Sequence, residues 1–94
     1  MLGATLKSLR EARGLTLREV ADSLEIDLSM LARIEKGQRS VNSLLFGRIA
    51  NFFEVKEEML RTLSLADQVY KDVELNEFAE EALRIVQRKI KENK

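Results

Sequence analysis

Catalytic chemistry has few candidate residues in this sequence of 94 residues, which contains no histidine and no cysteine. An imidazole base, a thiolate nucleophile, a zinc finger and a disulfide framework are therefore excluded, and only carboxylates and lysines remain. The carboxylates have the spacing of charges on helix surfaces and do not form pairs suited to acid–base work. We therefore expect no enzymatic activity, no metal site and no cofactor.

Residues suited to binding are concentrated in the stretch 15–37. Thr16 and Glu19 have the spacing of a capping box, in which each side chain satisfies the other residue's free backbone amide at the start of a helix. Asp27 is a good N-cap for a second helix, and Gly37 follows that helix where a left-handed cap is wanted. The stretch therefore predicts two short helices that meet across a tight turn.

The second of these helices has one face suited to the core and one suited to a ligand. Leu31 and Ile34 are expected to be buried, which leaves Leu28, Ser29 and Arg33 pointing outward. An arginine can pair with O6 and N7 of guanine, a serine hydroxyl can donate or accept, and a leucine can pack on a thymine methyl group. A helix held from behind and free in front can enter a DNA major groove. An ordinary helical hairpin would show the same spacing, so the pattern alone leaves both readings open.

The remaining sequence is also typical of helices. Proline is absent, and the abundant leucine, glutamate, alanine, arginine and lysine are strong helix formers, so we expect an all-α fold. A first helix is expected over residues 5–13, with Gly14 just beyond its last turn. Three later helices are expected, one capped by Asn42, one from about Lys56 and one capped by Asn76.

Four segments, in order and almost without gaps, carry a family resemblance: LREARGLT at 9–16, EVA at 19–21, RIEKG at 33–37 and the stretch 49–55. They resemble the Xre-type helix-turn-helix proteins, which include phage repressors and Cro proteins. The resemblance covers about residues 2–60. It implies a five-helix, lambda repressor-like DNA-binding domain in which residues 27–36 form the recognition helix.

The resemblance also implies roles for individual residues. The base-reading positions are Leu28, Ser29 and Arg33, with Arg33 as the main reader. Phosphate contacts are expected from the start of the second helix and from the loop after the third, with one more from the first helix: Thr16, Arg18, Lys36, Gln38, Arg39, Ser40 and Arg10. Arg10 and Glu35 match positions that pair in this family, so we also expect a structural ion pair between the first and third helices.

Several residues depart from the family pattern. Leu17 and Leu28 stand where many relatives carry polar side chains that reach DNA, which predicts fewer polar readers and more reliance on DNA shape. Glu25 and Glu54 replace glycines that are common at two turns, so these residues must adopt, or the loops avoid, a left-handed conformation.

Charge predicts a local basic surface rather than a basic protein. The whole chain holds 16 Lys+Arg and 16 Asp+Glu, whereas residues 1–56 hold 9 and 7. A positive patch is expected from the arginines and lysine of the first half, namely Arg10, Arg13, Arg18, Arg33, Lys36 and Arg39.

Two parts of the chain are expected: a helix-turn-helix domain at 1–60 and a C-terminal helical extension at 61–94. The extension has more apolar positions than a small monomer normally leaves exposed. We expect a dimer interface formed by residues of the fourth helix and the extension: Leu44, Phe52, Phe78, Ala82, Ile85 and Ile90. The alternative is that the extension packs on its own domain.

The resemblance implies a sequence-specific, DNA-binding transcriptional regulator that acts as a homodimer on a two-fold symmetric operator of double-stranded DNA. Autoregulation, control of a restriction–modification operon and phage-type repression are its more specific forms. The competing hypothesis is an antitoxin or protein-interaction adaptor built on the same scaffold. No apolar run approaches the roughly 18 residues that span a bilayer, so we expect a cytoplasmic protein with no membrane partner, and no small-molecule ligand.

Overall fold

A computed structural model describes residues 1–94 and contains six α-helices and no strand. The helices are α1 (Leu2–Ala12), α2 (Leu17–Leu24), α3 (Leu28–Glu35), α4 (Ser43–Phe53), α5 (Glu57–Val73) and α6 (Ala79–Glu92). The predicted all-α fold is confirmed. None of the helices is both long enough and apolar enough to cross a membrane.

Local capping signals place two of the helix starts where the sequence predicted them. The Thr16 hydroxyl accepts from the Glu19 N–H at 3.1 Å, and the Glu19 carboxylate accepts from the Thr16 N–H at 3.0 Å, which completes the capping box of α2. The backbone and side-chain hydrogen bonds with Thr16 hold the pKa of Glu19 below its usual value. Asn42 caps α4 by accepting from the Leu45 N–H at 2.9 Å.

Asp27 is the N-cap residue of α3 as predicted, although its side chain makes no capping hydrogen bond. Two other predictions about helix starts were wrong. Helix α6 begins at Ala79 rather than near Asn76, because the Asn76 side chain instead accepts from the Phe78 N–H two residues later and forms a turn. Helix α1 begins at Leu2 rather than Thr5.

The early start of α1 has a cause outside its own sequence. Asp67 of α5 accepts a hydrogen bond from the Leu2 N–H at 2.9 Å and one from the Met1 ammonium at 2.9 Å. A carboxylate thus satisfies a free backbone donor at the first turn of the helix, where the helix dipole also favours negative charge. Helix α5 therefore caps α1 from 65 residues away along the chain.

This cap makes stability depend on pH. Burial alone would raise the pKa of Asp67, but the Leu2 N–H and the Met1 ammonium together hold it below its usual value. The stabilisation is therefore fully present above the unfolded-state pKa and is lost as the pH falls through the folded-state pKa. We expect Asp67→Asn to lower the melting temperature near pH ~7 and the difference from the wild type to shrink by pH ~3. Thermal melts of both proteins across this range test this, and a constant difference would contradict it.

One apolar core joins α1 to α5. Its 14 buried residues come from the first five helices and the loop before α4: Leu2, Leu6, Val20, Ala21, Leu24, Leu31, Ile34, Val41, Leu45, Phe46, Ile49, Ala50, Phe53 and Leu60. Leu9 of α1 is only partly buried against this core. Burial of these side chains is the main favourable contribution to folding.

The two turns that lack glycine adopt the left-handed conformation. Glu25 has a φ of 59° at the end of α2, and Glu54 has a φ of 56° at the end of α4. Of the two alternatives left open by the sequence, the non-glycine residue therefore takes up the strained geometry at both turns.

The C-terminal part of the chain is a continuous α5 followed by an exposed α6. Helix α5 runs through the predicted boundary between residues 60 and 61 and packs on α1 and α4. Helix α6 buries none of its residues. Its apolar side chains therefore do not contribute to the core formed by α1 to α5.

Candidate nucleic-acid interface

Helix α3 has the two-faced arrangement predicted from its sequence. Leu31 and Ile34 are each 2% exposed and face α1 and α2. Leu28, Ser29 and Arg33 are exposed, and the Arg33 Nε donates a long hydrogen bond of 3.4 Å to the Ser29 carbonyl. This bond directs the guanidinium back along the helix toward its N-terminus. The three proposed base readers thus occupy one exposed face of α3.

A buried ion pair ties this helix to α1. The Arg10 Nε donates to Glu35 Oε2 at 2.8 Å, and its Nη2 donates to Glu35 Oε1 at 3.0 Å, so the pair is bidentate. The Arg10 side chain is only 12% exposed and that of Glu35 only 6%. The hydrogen bond to Glu35 raises the pKa of Arg10 despite partial desolvation. Arg10 therefore fixes the C-terminal end of α3.

Of the two roles predicted for Arg10, the ion pair with Glu35 is present, and the phosphate contact stays a prediction. Its third donor, Nη1, bonds the Leu15 carbonyl at 2.9 Å, so all three nitrogens are directed at groups inside the fold. Two of its five N–H groups have no partner in the fold, so a phosphate contact would have to use these. The carboxylate of Glu35 offsets the charge of Arg10 and so reduces its contribution to the positive patch.

Arg13 leaves the predicted patch. Its Nη1 and Nη2 donate to the carbonyls of Phe52 and Phe53 at 2.8 Å and 2.9 Å. These are carbonyls of the last turn of α4, which lack partners within the helix and attract positive charge. The guanidinium carbon also lies 5.3 Å from the centre of the Phe53 ring. Arg13 therefore stabilises the end of α4.

The remaining cations of the predicted phosphate-binding set have no acidic partner. Arg18 at the start of α2, Lys36 at the end of α3 and Arg39 in the α3–α4 loop form no salt bridge and are exposed. By contrast, Arg48 and Arg61 pair with carboxylates elsewhere in the fold. Gln38 and Ser40 of the same loop are exposed, whereas the Thr16 hydroxyl is already used in the capping box. Unpaired cations are free to bind an external anion.

Gly3 positions α3, and the sequence reasoning missed it. A β-carbon at this residue would lie 2.6 Å from the Ile34 carbonyl oxygen and would also clash with the Glu35 carbonyl oxygen. Only glycine lets the start of α1 approach the backbone at the end of α3 this closely. Because the sequence predicted the first helix to begin only at residue 5, it gave no signal for this glycine.

The residues predicted to form the dimer interface differ in their exposure to solvent. Leu44 is 67% exposed on α4, and Phe78, Ala82, Ile85 and Ile90 are exposed at the start of α6 and along it. Phe52 is partly buried instead. Its ring lies 4.9 Å from that of Phe53 in an edge-to-face arrangement and belongs to the margin of the core. Phe52 therefore packs mainly within its own domain.

Comparison with known proteins gives three findings. Residues 1–63 match the family model of a helix-turn-helix domain. Two curated relatives, both named transcriptional regulator ClgR and from the CDC 1551 and H37Rv strains of Mycobacterium tuberculosis, are 34% identical over 55 residues, which is 58% of this chain and 49% of theirs. The chain thus spans about half the length of these relatives.

The third finding concerns the fold. The crystal structure of the clp gene regulator ClgR from Corynebacterium glutamicum superposes with a TM-score of 0.60 at 23% sequence identity. The match covers 94% of this chain and 88% of that one. The similarity in fold therefore covers the first five helices and extends into α6.

Proposed function

This chain belongs to the helix-turn-helix domain family, and from that membership we propose that it is a transcriptional regulator that binds duplex DNA through α3. The observation that carries the proposal is the exposed face of Leu28, Ser29 and Arg33 on a helix clamped from behind by the Arg10–Glu35 pair. The relatives named as transcriptional regulators support it. Helix-turn-helix regulators are not known to be enzymes, in agreement with the expectation from the sequence.

In this proposal α3 reads base pairs in the major groove. Arg33 pairs with O6 and N7 of a guanine, Ser29 makes an adaptable hydrogen bond, and Leu28 packs on a thymine methyl group. Five residues of α2, α3 and the α3–α4 loop contact backbone phosphates: Arg18, Lys36, Gln38, Arg39 and Ser40. These contacts set affinity and register but carry no sequence information. The backbone amides at the start of α2 add to this set beside Thr16.

The base-reading role of Arg33 and the phosphate-binding role of Arg39 predict different outcomes when each is replaced by alanine. Arg33→Ala is expected to cost about 1–3 kcal/mol on the preferred sequence and to relax base preference, because it removes a bidentate base contact. Arg39→Ala is expected to weaken binding to all sequences alike and to flatten the dependence of log Kd on log salt by about one unit. Fluorescence anisotropy on the preferred duplex and on a scrambled one measures both.

Equal losses on the two duplexes for Arg33→Ala would refute its role as a reader. A sequence-dependent loss for Arg39→Ala would likewise refute its role as a phosphate contact. The two variants serve as matched controls, because each removes one exposed arginine that lacks an acidic partner.

We also propose the division into a DNA-binding part, residues 1–60, and a dimerising extension, residues 61–94. Support comes from α6, whose apolar residues Phe78, Ala82, Ile85 and Ile90 are all exposed in a single chain. A surface of this kind is unfavourable in water unless a partner covers it. In a homodimer, two α3 helices about 34 Å apart would meet successive major grooves of a two-fold symmetric operator.

Light scattering tests the dimer. At micromolar concentration we expect a particle of twice the 10.8 kDa chain mass, and we expect Ile85→Glu combined with Ile90→Glu to reduce it to the monomer while the helical content of α1 to α5 persists. The control is Leu65→Glu, which places a negative charge at an exposed leucine of the extension that is not among the proposed dimer contacts. A wild-type monomer would contradict the interface and favour the competing function.

The competing function is an antitoxin or an interaction adaptor, and the exposed apolar face of α6 is the one observation that favours it. Among regulatory roles, the Xre-type resemblance supports a repressor-like mode in which the dimer acts at the promoter of its own gene or of a restriction–modification operon. Binding of the protein to DNA upstream of the gene that encodes it tests the proposal of autoregulation.

A further inference from the structure

A cleft of about 480 Å³ separates the α3–α4 loop from the second half of α5, with the start of α1 at its base. On one side it is lined by residues 37–40, the loop proposed above to contact DNA phosphates. On the other side it is lined by residues between 64 and 71 of α5 and by Glu74 just after the helix, all of which lie outside the region that matches the helix-turn-helix family model. The extension therefore lies beside the proposed phosphate-binding loop.

The side of α5 that faces this cleft is polar. Ser64, Asp67, Gln68, Lys71 and Glu74 all line it, and their spacing of three or four residues places them on one face of the helix. Tyr70 also lines the cleft, as the one aromatic side chain on this side, whereas Val69 does not. Five of the six lining residues on this side are thus polar or charged, which suits a polar partner better than an apolar one.

The charges in the cleft are not equally available. Asp67 is occupied, because its two oxygens accept from the Met1 ammonium and the Leu2 N–H. Arg39 and Lys71 form no salt bridge, and Lys71 has no ion pair with Glu74 despite lying three residues away. Two free cations and two amide side chains, Gln38 and Gln68, thus border the cleft against one free carboxylate.

We infer that Lys71 is a further phosphate contact, and that α5 extends the DNA-binding surface beyond the helix-turn-helix domain. The inference rests on the proposed function, because the ligand is a phosphodiester group of the same duplex that α3 reads. An ammonium group binds a phosphate as a point charge and needs no fixed orientation. Lys71 would thus add affinity next to Arg39 without adding base preference.

The test compares two lysines at opposite ends of α5, Lys71 in its last turn and Lys56 at its N-cap. Lys71→Gln and the control Lys56→Gln remove the same charge, but only Lys71 borders the cleft. Anisotropy with a fluorescein-labelled 30-base-pair duplex of scrambled sequence reports the phosphate contacts without knowledge of an operator. Titrations at several salt concentrations between about 50 and 200 mM give the slope of log Kd against log salt.

We expect Lys71→Gln to raise Kd about tenfold at about 50 mM salt and to reduce the slope by about 0.9 for each protomer bound, the value for one lost phosphate contact. Lys71→Arg is expected to retain the wild-type slope, and Lys56→Gln to bind as the wild type does. Glu74→Gln is expected to lower Kd, because it removes the free carboxylate that borders the cleft.

A wild-type slope for Lys71→Gln would overturn the inference. A higher Kd with an unchanged slope would also overturn it, because it would indicate altered assembly rather than a lost phosphate contact. Light scattering on each variant checks the assembly directly. Failure of the wild type itself to bind this duplex would instead overturn the proposed function, and the two failures are therefore distinguishable.

Discussion

Glu35→Ala is expected to destabilise the fold by about 1.5–3 kcal/mol, because it leaves the largely buried Arg10 guanidinium without its charge partner. Arg10 is 12% exposed and would keep only its bond to the Leu15 carbonyl. A domain of this length has a total stability of about 5–14 kcal/mol. The substitution should thus remove a large part of it, as measured by urea unfolding followed by circular dichroism.

The matched control is Glu57→Ala. It also breaks a close arginine–carboxylate pair, Arg61 with Glu57 at 2.7 Å, but both side chains are well exposed. An exposed pair at this helical spacing is worth only about 0.3–0.5 kcal/mol. Similar losses for the two variants would contradict the buried role assigned to Glu35.

A double variant separates the penalty of an unpaired charge from the value of the pair itself. Arg10→Met combined with Glu35→Leu removes both charges and keeps apolar volume. Because buried pairs often contribute little relative to apolar replacements, the double variant is expected to be more stable than Glu35→Ala. A further loss of stability would show instead that the pair is favourable in its own right.

Gly3→Ala is expected to destabilise the fold by about 1–3 kcal/mol or more, the cost of forcing an added methyl into a packed contact. The atoms that the new β-carbon meets are backbone carbonyl oxygens of Ile34 and Glu35, which cannot rotate away as a flexible side chain could. Helix α1 must therefore move away from the end of α3. We also expect weaker DNA binding, because α3 carries the proposed readers.

Gly47→Ala is expected to stabilise the fold in the same unfolding experiment. A β-carbon at Gly47 would lie 3.6 Å from the Glu57 carboxylate, an ordinary contact with a side chain that can move. Alanine is favoured over glycine within a helix by about 0.5–1 kcal/mol. Unfolding midpoints should thus fall for Gly3→Ala and rise for Gly47→Ala. A rise for both would mean that the close approach of α1 to α3 is not required.

Features set by neighbouring residues were predictable from the sequence. The capping box at Thr16 and Glu19 and the Asn42 cap need only a few residues of local chain, and both were located correctly. The division of α3 into buried and exposed faces follows from helical spacing, which Leu31 and Ile34 obey.

Features set by distant residues were not predictable in the same way. The start of α1 depends on Asp67, which no local pattern links to Leu2. The need for glycine at position 3 arises from the end of α3, and the capture of Arg13 by the last turn of α4 withdraws a cation that counted toward the DNA surface. In each case a tertiary contact, absent from the local sequence, decides the role.

The proposed division of labour within the interface follows from the same contacts. Two arginines that bind groups of the protein hold helices in place, namely Arg10 and Arg13. Three exposed arginines have no acidic partner and remain available to a ligand: Arg18, Arg33 and Arg39. A neutral chain can in this way present a local positive surface.

The most direct test of DNA binding is fluorescence anisotropy on two labelled duplexes, the DNA upstream of the gene encoding this chain and a shuffled version of it, at about 50 and 200 mM salt. The account predicts that the wild type binds both at the lower salt and prefers the native duplex by a factor of about a thousand, a preference that persists at the higher salt. Failure to bind either duplex at the lower salt would contradict it.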